Sequence, residues 1–112
     1  MAPDAIPALL EQIDELLAEP AQDEEPEDLA RLERTLTDGY AYALALEAER
    51  WRLERRMSEL AGELHEGEDQ DLKAKELALL SDRLSSNGRL LTRLRHTLTQ
   101  LRVRAAAARA KV

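Results

Sequence analysis

Two leucine-rich runs, each with its apolar residues at alternating spacings of three and four, restrict the fold of this chain more than any other feature. The first run is Leu29, Leu32, Leu36, Gly39, Ala43, Leu46, Arg50, Leu53, Met57, Leu60 and Leu64, with nine of its eleven positions apolar. The second is Leu77, Leu80, Leu84, Asn87, Leu91, Leu94, Leu98, Leu101, Ala105, Ala108 and Val112, with ten of eleven apolar. A mean spacing of 3.5 lines each set along one edge of a helix, the seam along which coiled-coil helices pack. Residues 65–71 (HEGEDQD) interrupt the pattern. They supply Gly67 as a candidate helix C-cap, then Asp69 and Asp71 as candidate N-caps. The expected fold is all-α: an antiparallel, coiled-coil-like helical hairpin over residues 29–112, bent at 65–71.

Ser85-Ser86-Asn87-Gly88 has the local composition of a turn, yet the three-four register crosses it without a skip. A loop rarely preserves heptad phase, so the expectation is a continuous helix. Asn87 then becomes a buried polar seam residue of the kind that sets register at some cost in stability. Beside the seam, Glu33, Tyr40, Glu47 and Glu54 flank the first run, while Arg95, Arg102 and Arg109 flank the second. An antiparallel pair brings those edges together, acid against arginine, with Tyr40 able to stack on a guanidinium. Each exposed pair contributes about 0.3–1 kcal/mol, enough to choose orientation but not to hold the fold. On the other edge, one register sets Arg56 against Arg83.

Residues 1–18 form a shorter element. Ile6, Leu10, Ile13 and Leu17 share a helical face widened by Leu9 and Leu16, and Pro7 suits a first turn. Residues 19–28 (EPAQDEEPED) read as an acidic linker punctuated by proline. Two helices of about 50–60 Å bury one narrow seam, and that burial struggles against chain entropy of about 1.5 kcal/mol per residue. A second stripe, Tyr40, Leu44, Ala48 and Trp51, together with Leu72, Leu79 and Leu90 beside the second seam, needs covering by the N-terminal helix or by another chain. A homodimer closing into a four-helix bundle is the preferred solution, with Tyr40, Leu44, Trp51, Leu79 and Leu90 as interface residues.

Charge is divided along the chain. Residues 1–30 carry ten carboxylates and no base, residues 83–112 carry eight cations and no acid, and the net is −7. Such asymmetry predicts that the ends meet or that each faces a different partner. The acidic N-terminal segment is a candidate cover for the basic C-terminal helix. Arg93, Arg102, Arg104 and Arg109, with Asn87, are the candidate partner-binding residues. Nucleic-acid binding through these arginines is a weaker reading, because the chain is acidic overall and its aromatics lie elsewhere.

Catalytic chemistry finds no purchase. There is no cysteine, His65 and His96 lack companion ligands at metal spacing, and EGEDQD departs from a calcium loop. No phosphate loop or nucleophile motif occurs. No cofactor or metal is expected. The N-terminus lacks a basic secretory n-region and no apolar stretch reaches eighteen residues, so the expectation is a cytoplasmic protein with no membrane partner.

Two stretches, Leu46-Glu-Ala-Glu-Arg-Trp-Arg-Leu-Glu-Arg-Arg-Met57 and Leu84-Ser-Ser-Asn-Gly-Arg-Leu-Leu91, resemble parts of the flagellar export chaperones that guard hook-filament junction proteins. The resemblance implies binding of a disordered secretion client around Asn87, Leu90, Leu91 and Leu94. The residues themselves point first to a non-enzymatic scaffold or adaptor that self-associates and binds an unidentified protein partner. An export chaperone is the alternative.

Overall fold

Both heptad runs emerge as long helices. A computed structural model describes residues 5–18, 26–64 and 67–111 of the chain. It comprises α1 (Ala5–Ala18), α2 (Pro26–Glu63) and α3 (Gln70–Ala110), with no strand among the described residues. The acidic segment 19–25 lies outside the described residues, and so do His65 and Val112. Pro26 is the first residue of α2, where its missing N–H costs nothing.

Helix α3 passes through Ser85–Gly88 without a break. Local turn preference is worth a fraction of a kcal/mol per residue and yields to packing. Packing is specific here: Asn87 is 4% exposed, and its Nδ2 donates to the Leu46 carbonyl oxygen at 2.9 Å.

Among the described residues of the bend, Gly67 at φ 87° and Asp69 at φ 55° are left-handed. Asp69 starts α3, its carbonyl accepting from the Lys73 N–H at 3.0 Å, whereas Asp71 lies inside the first turn. Carbonyls at the end of α2 have no helical partner. Gln70 Nε2 donates to Leu64 O at 3.3 Å and Lys73 Nζ to Glu63 O at 3.5 Å. At Gly67 a Cβ would meet no neighbour, so only the backbone conformation opposes one. Gly67→Ala is expected to lower unfolding free energy by about 1 kcal/mol, read as a shift of the urea midpoint at constant slope.

The chain divides into two compact units. A terminal unit combines residues up to Ala45 with those from Thr92, and a bend unit comprises Leu46–Leu91. Contacts within each run antiparallel. In the terminal unit Glu33 meets Arg109 and Gly39 meets Leu98. In the bend unit Leu46 meets Asn87, Arg50 meets Gly88, and Arg56 meets Glu76. Numbers rise on α2 as they fall on α3, the signature of a helical hairpin.

Both irregular positions of the first seam face a residue that suits them. A Cβ at Gly39 would overlap Leu98 Cδ2 and sit 3.3 Å from Leu98 Cγ, so the glycine makes room for a leucine that is 2% exposed. Arg50 carries its guanidinium past Gly88, 3.3 Å from where a Cβ would stand, and its Nε donates to Glu54 at 3.1 Å.

Candidate functional site

With the seam labelled a and d, each helix has two flanking edges, e and g, and in an antiparallel pair like edges adjoin. How each edge is covered decides what the surface can do.

In the terminal unit, α1 covers the g edge. Ile6, Leu9, Leu10, Ile13 and Leu16 are buried, as are Thr35 and Thr97 at g positions of α2 and α3. Their hydroxyls donate within their own helices, Thr35 to Arg31 O at 2.9 Å and Thr97 to Leu94 O at 3.0 Å, so burying them leaves no donor unpaired. Two arginines of α3 hold α1 in place. Arg93 Nη2 pairs with Asp14 at 2.8 Å, and Arg104 donates to the Leu16 carbonyl in the last turn of α1. A guanidinium at a helix C-terminus satisfies an orphan carbonyl and complements the helix dipole. The e edge of this unit carries the expected pairing, Arg109 Nε to Glu33 at 2.7 Å. Tyr40 and Leu44 remain exposed.

Three of the four arginines offered as partner contacts, Arg93, Arg104 and Arg109, thus bind this chain's own α1 and α2. Arg102 is exposed. Asn87 belongs to the bend unit and turns its amide into the seam. Leu91 and Leu94, suggested by the chaperone resemblance, are buried, and Leu90 is half-buried.

The bend unit treats its two edges differently. Its g edge is sealed by charge. Arg56 reaches Glu76 with Nε at 3.1 Å and Nη2 at 3.4 Å, and also lies 3.4 Å from Glu59 and 3.8 Å from Glu63. The bond to Glu76 is the main reason the Arg56 guanidinium holds its proton more firmly than usual. Partial desolvation opposes this, while the charges of Glu76 and Glu63 and the bond to Glu59 add to it. Arg56 therefore meets an acid, and the register that would set it against Arg83 does not occur.

The e edge is open. A groove of about 710 Å³ runs between α2 and α3, floored by Met57, Leu77 and Leu84 and walled by small side chains such as Ser58, Ala78 and Ser81. Beside the groove the buried cluster is Leu53, Leu60 and Leu80, with Met57, Leu77 and Leu84 partly exposed against it; Leu46 and Leu91 are buried at the other end of the unit. Trp51 stands on the same edge of α2, 73% exposed. Leu79 is exposed as well, but its c position turns it away from this edge. The seam pattern alone hid the groove, because Met57, Leu77 and Leu84 read as ordinary core positions. The available signal was the run of small residues where flanking charges usually sit.

Among the described residues, no group of three His, Cys, Asp or Glu side chains could hold a metal ion, and no helix is long and apolar enough to cross a membrane. The chain matches no known protein family, and neither a characterised relative nor a solved structure matches it.

Proposed function

We propose that this protein is a non-enzymatic, self-associating helical adaptor whose working surface is apolar helix edge. The open groove of the bend unit carries this reading. An apolar channel beside a two-helix core has the form into which an amphipathic helix docks. The exposed large apolar residues Tyr40, Leu44 and Trp51 point the same way, since aromatics are enriched at the centres of protein interfaces. Internal ion pairing of Arg93 and Arg109 disfavours a phosphate-binding role for the basic helix. Light-scattering mass of the purified chain tests the reading: two chains per particle are expected. A single chain forming one-to-one complexes with a disordered client would favour the export-chaperone alternative.

The position of α1 adds a regulatory element to the proposal: it masks Arg93 and Arg104. Ile13 is fully buried, and Ile13→Asp places an unpaired charge in that contact. The variant is expected to lose about 3 kcal/mol from the terminal unit, to lose amide-exchange protection in α1, and to keep it around Leu60 and Leu80. Retention on a polyanionic resin should rise although the variant carries one more negative charge. Unchanged retention would remove the masking idea.

A further inference from the structure

We infer that the groove of the bend unit is occupied by the same groove of a second copy of this chain, the two related by a two-fold axis that lays α3 antiparallel on α3 about Ala78 and α2 antiparallel on α2 about Ser58. The inference rests on the self-associating adaptor reading and names its contact surface.

Three observations carry it. The first is the imbalance of cover. Five apolar side chains of α1 close the terminal unit, whereas the e edge of the bend unit leaves Met57, Leu77 and Leu84 partly in water against the buried cluster Leu53, Leu60 and Leu80. Apolar surface gains about 25 cal/mol per Å² on leaving water, so a second layer over this edge is favoured. A copy of the same groove brings three further apolar side chains of matching size to the same place.

The second observation is shape. Ser58 and Ala61 on α2, with Ala74, Ala78 and Ser81 on α3, keep the walls low. Helix axes can then approach to the near end of the usual 8–10 Å range. Trp51 lies two turns before Ser58 on the same edge, where its indole covers the end of the contact.

Charge supplies the third observation and selects the second copy over an unrelated helix. Glu54 lines the groove on α2, and Arg55 on α2 with Lys75 and Asp82 on α3 hold the f positions next to it, two charges of each sign in a chain whose net charge is −7. A locally neutral face is the part of an acidic molecule that can meet itself. The proposed axis places Lys75 opposite Ser81 of the second copy, one residue from Asp82 and within reach of it, and the reverse, while Glu54 falls opposite Gly62. The other face-to-face two-fold, with α2 on α3, would bring Glu54 beside Asp82 of the second copy. Opposite charges meet in the first arrangement, whereas in the second the Glu54–Asp82 repulsion is offset only by Arg55, which Glu59 already pairs at 3.6 Å.

The absence of cysteine makes the test clean. Ser58→Cys and Ala78→Cys each place one thiol near the axis, and both original side chains are small and exposed. Under mild oxidation each variant alone is expected to form a covalent dimer in high yield, and Glu49→Cys, off this edge, only a trace. In sedimentation equilibrium, Lys75→Asp should weaken association about tenfold, and Lys75→Asp/Asp82→Lys should restore it. Helical content by circular dichroism confirms that each variant is folded. A wild-type dimer whose Ser58→Cys and Ala78→Cys variants fail to cross-link overturns the inference and leaves the adaptor reading standing. A wild-type monomer at high concentration overturns both.

Discussion

Gly39→Leu, which would complete the heptad pattern of α2 on paper, is expected to destabilise the protein by about 2 kcal/mol. Two effects oppose each other. Replacing a mid-helix glycine gains about 0.8 kcal/mol of helix propensity. Inserting an isobutyl group where Leu98 already fills the space forces off-rotamer packing or backbone movement, at about 1–3 kcal/mol. The second effect dominates at its upper end, because even a Cβ at position 39 overlaps Leu98 Cδ2 and Leu98 has almost no exposed surface to retreat into. For a chain of this size the loss corresponds to a melting temperature lower by about 8 °C. The exchange is compensable: Gly39→Leu/Leu98→Ala should recover most of the loss, giving a coupling energy above 1 kcal/mol in a double-mutant cycle. A higher melting temperature for Gly39→Leu alone would show that the two residues do not face each other.

The second large effect has the opposite sign. Asn87→Leu is expected to stabilise the protein by about 1–2 kcal/mol. Asn87 makes one good bond through Nδ2, but its buried Oδ1 meets no donor among the described residues. An orphaned buried acceptor costs about 1–3 kcal/mol, more than one net hydrogen bond returns. Leucine at this d position removes the acceptor and extends the row from Leu84 to Leu91. Specificity is what the change gives up, because a polar seam residue penalises other alignments. Amide exchange in the bend unit should therefore become heterogeneous even as the urea midpoint rises. A fall in the midpoint would mean that Oδ1 is satisfied and that Asn87 contributes net stability.

Much of this architecture could be read from spacing. The leucines of both runs and the apolar face of α1 follow from period, and the place of Asp69 just before α3 from its residue type, all of them local properties. What could not be read depends on the register between helices. Gly39 and Arg50 look like flaws in one helix and make sense only when Leu98 and Gly88 are known to lie opposite them. Arg56 finds Glu76 and not Arg83 because the register set at the bend decides which of two plausible partners arrives. The arginines of α3 looked available to a partner. The composition gave no sign that α1 would settle on the g edge and engage Arg93 and Arg104. Asn87 is legible both as a seam residue and as a binding residue, and its burial favours the first role.

Every inference about edges presupposes that α2 and α3 fold back on each other in this register. Nuclear Overhauser contacts between the Gly39 Hα protons and the Leu98 methyl groups report that pairing directly, and isotope filtering separates contacts within a chain from those between chains. The account predicts strong intrachain contacts between these protons. Their absence, with both residues still in helix, would contradict it.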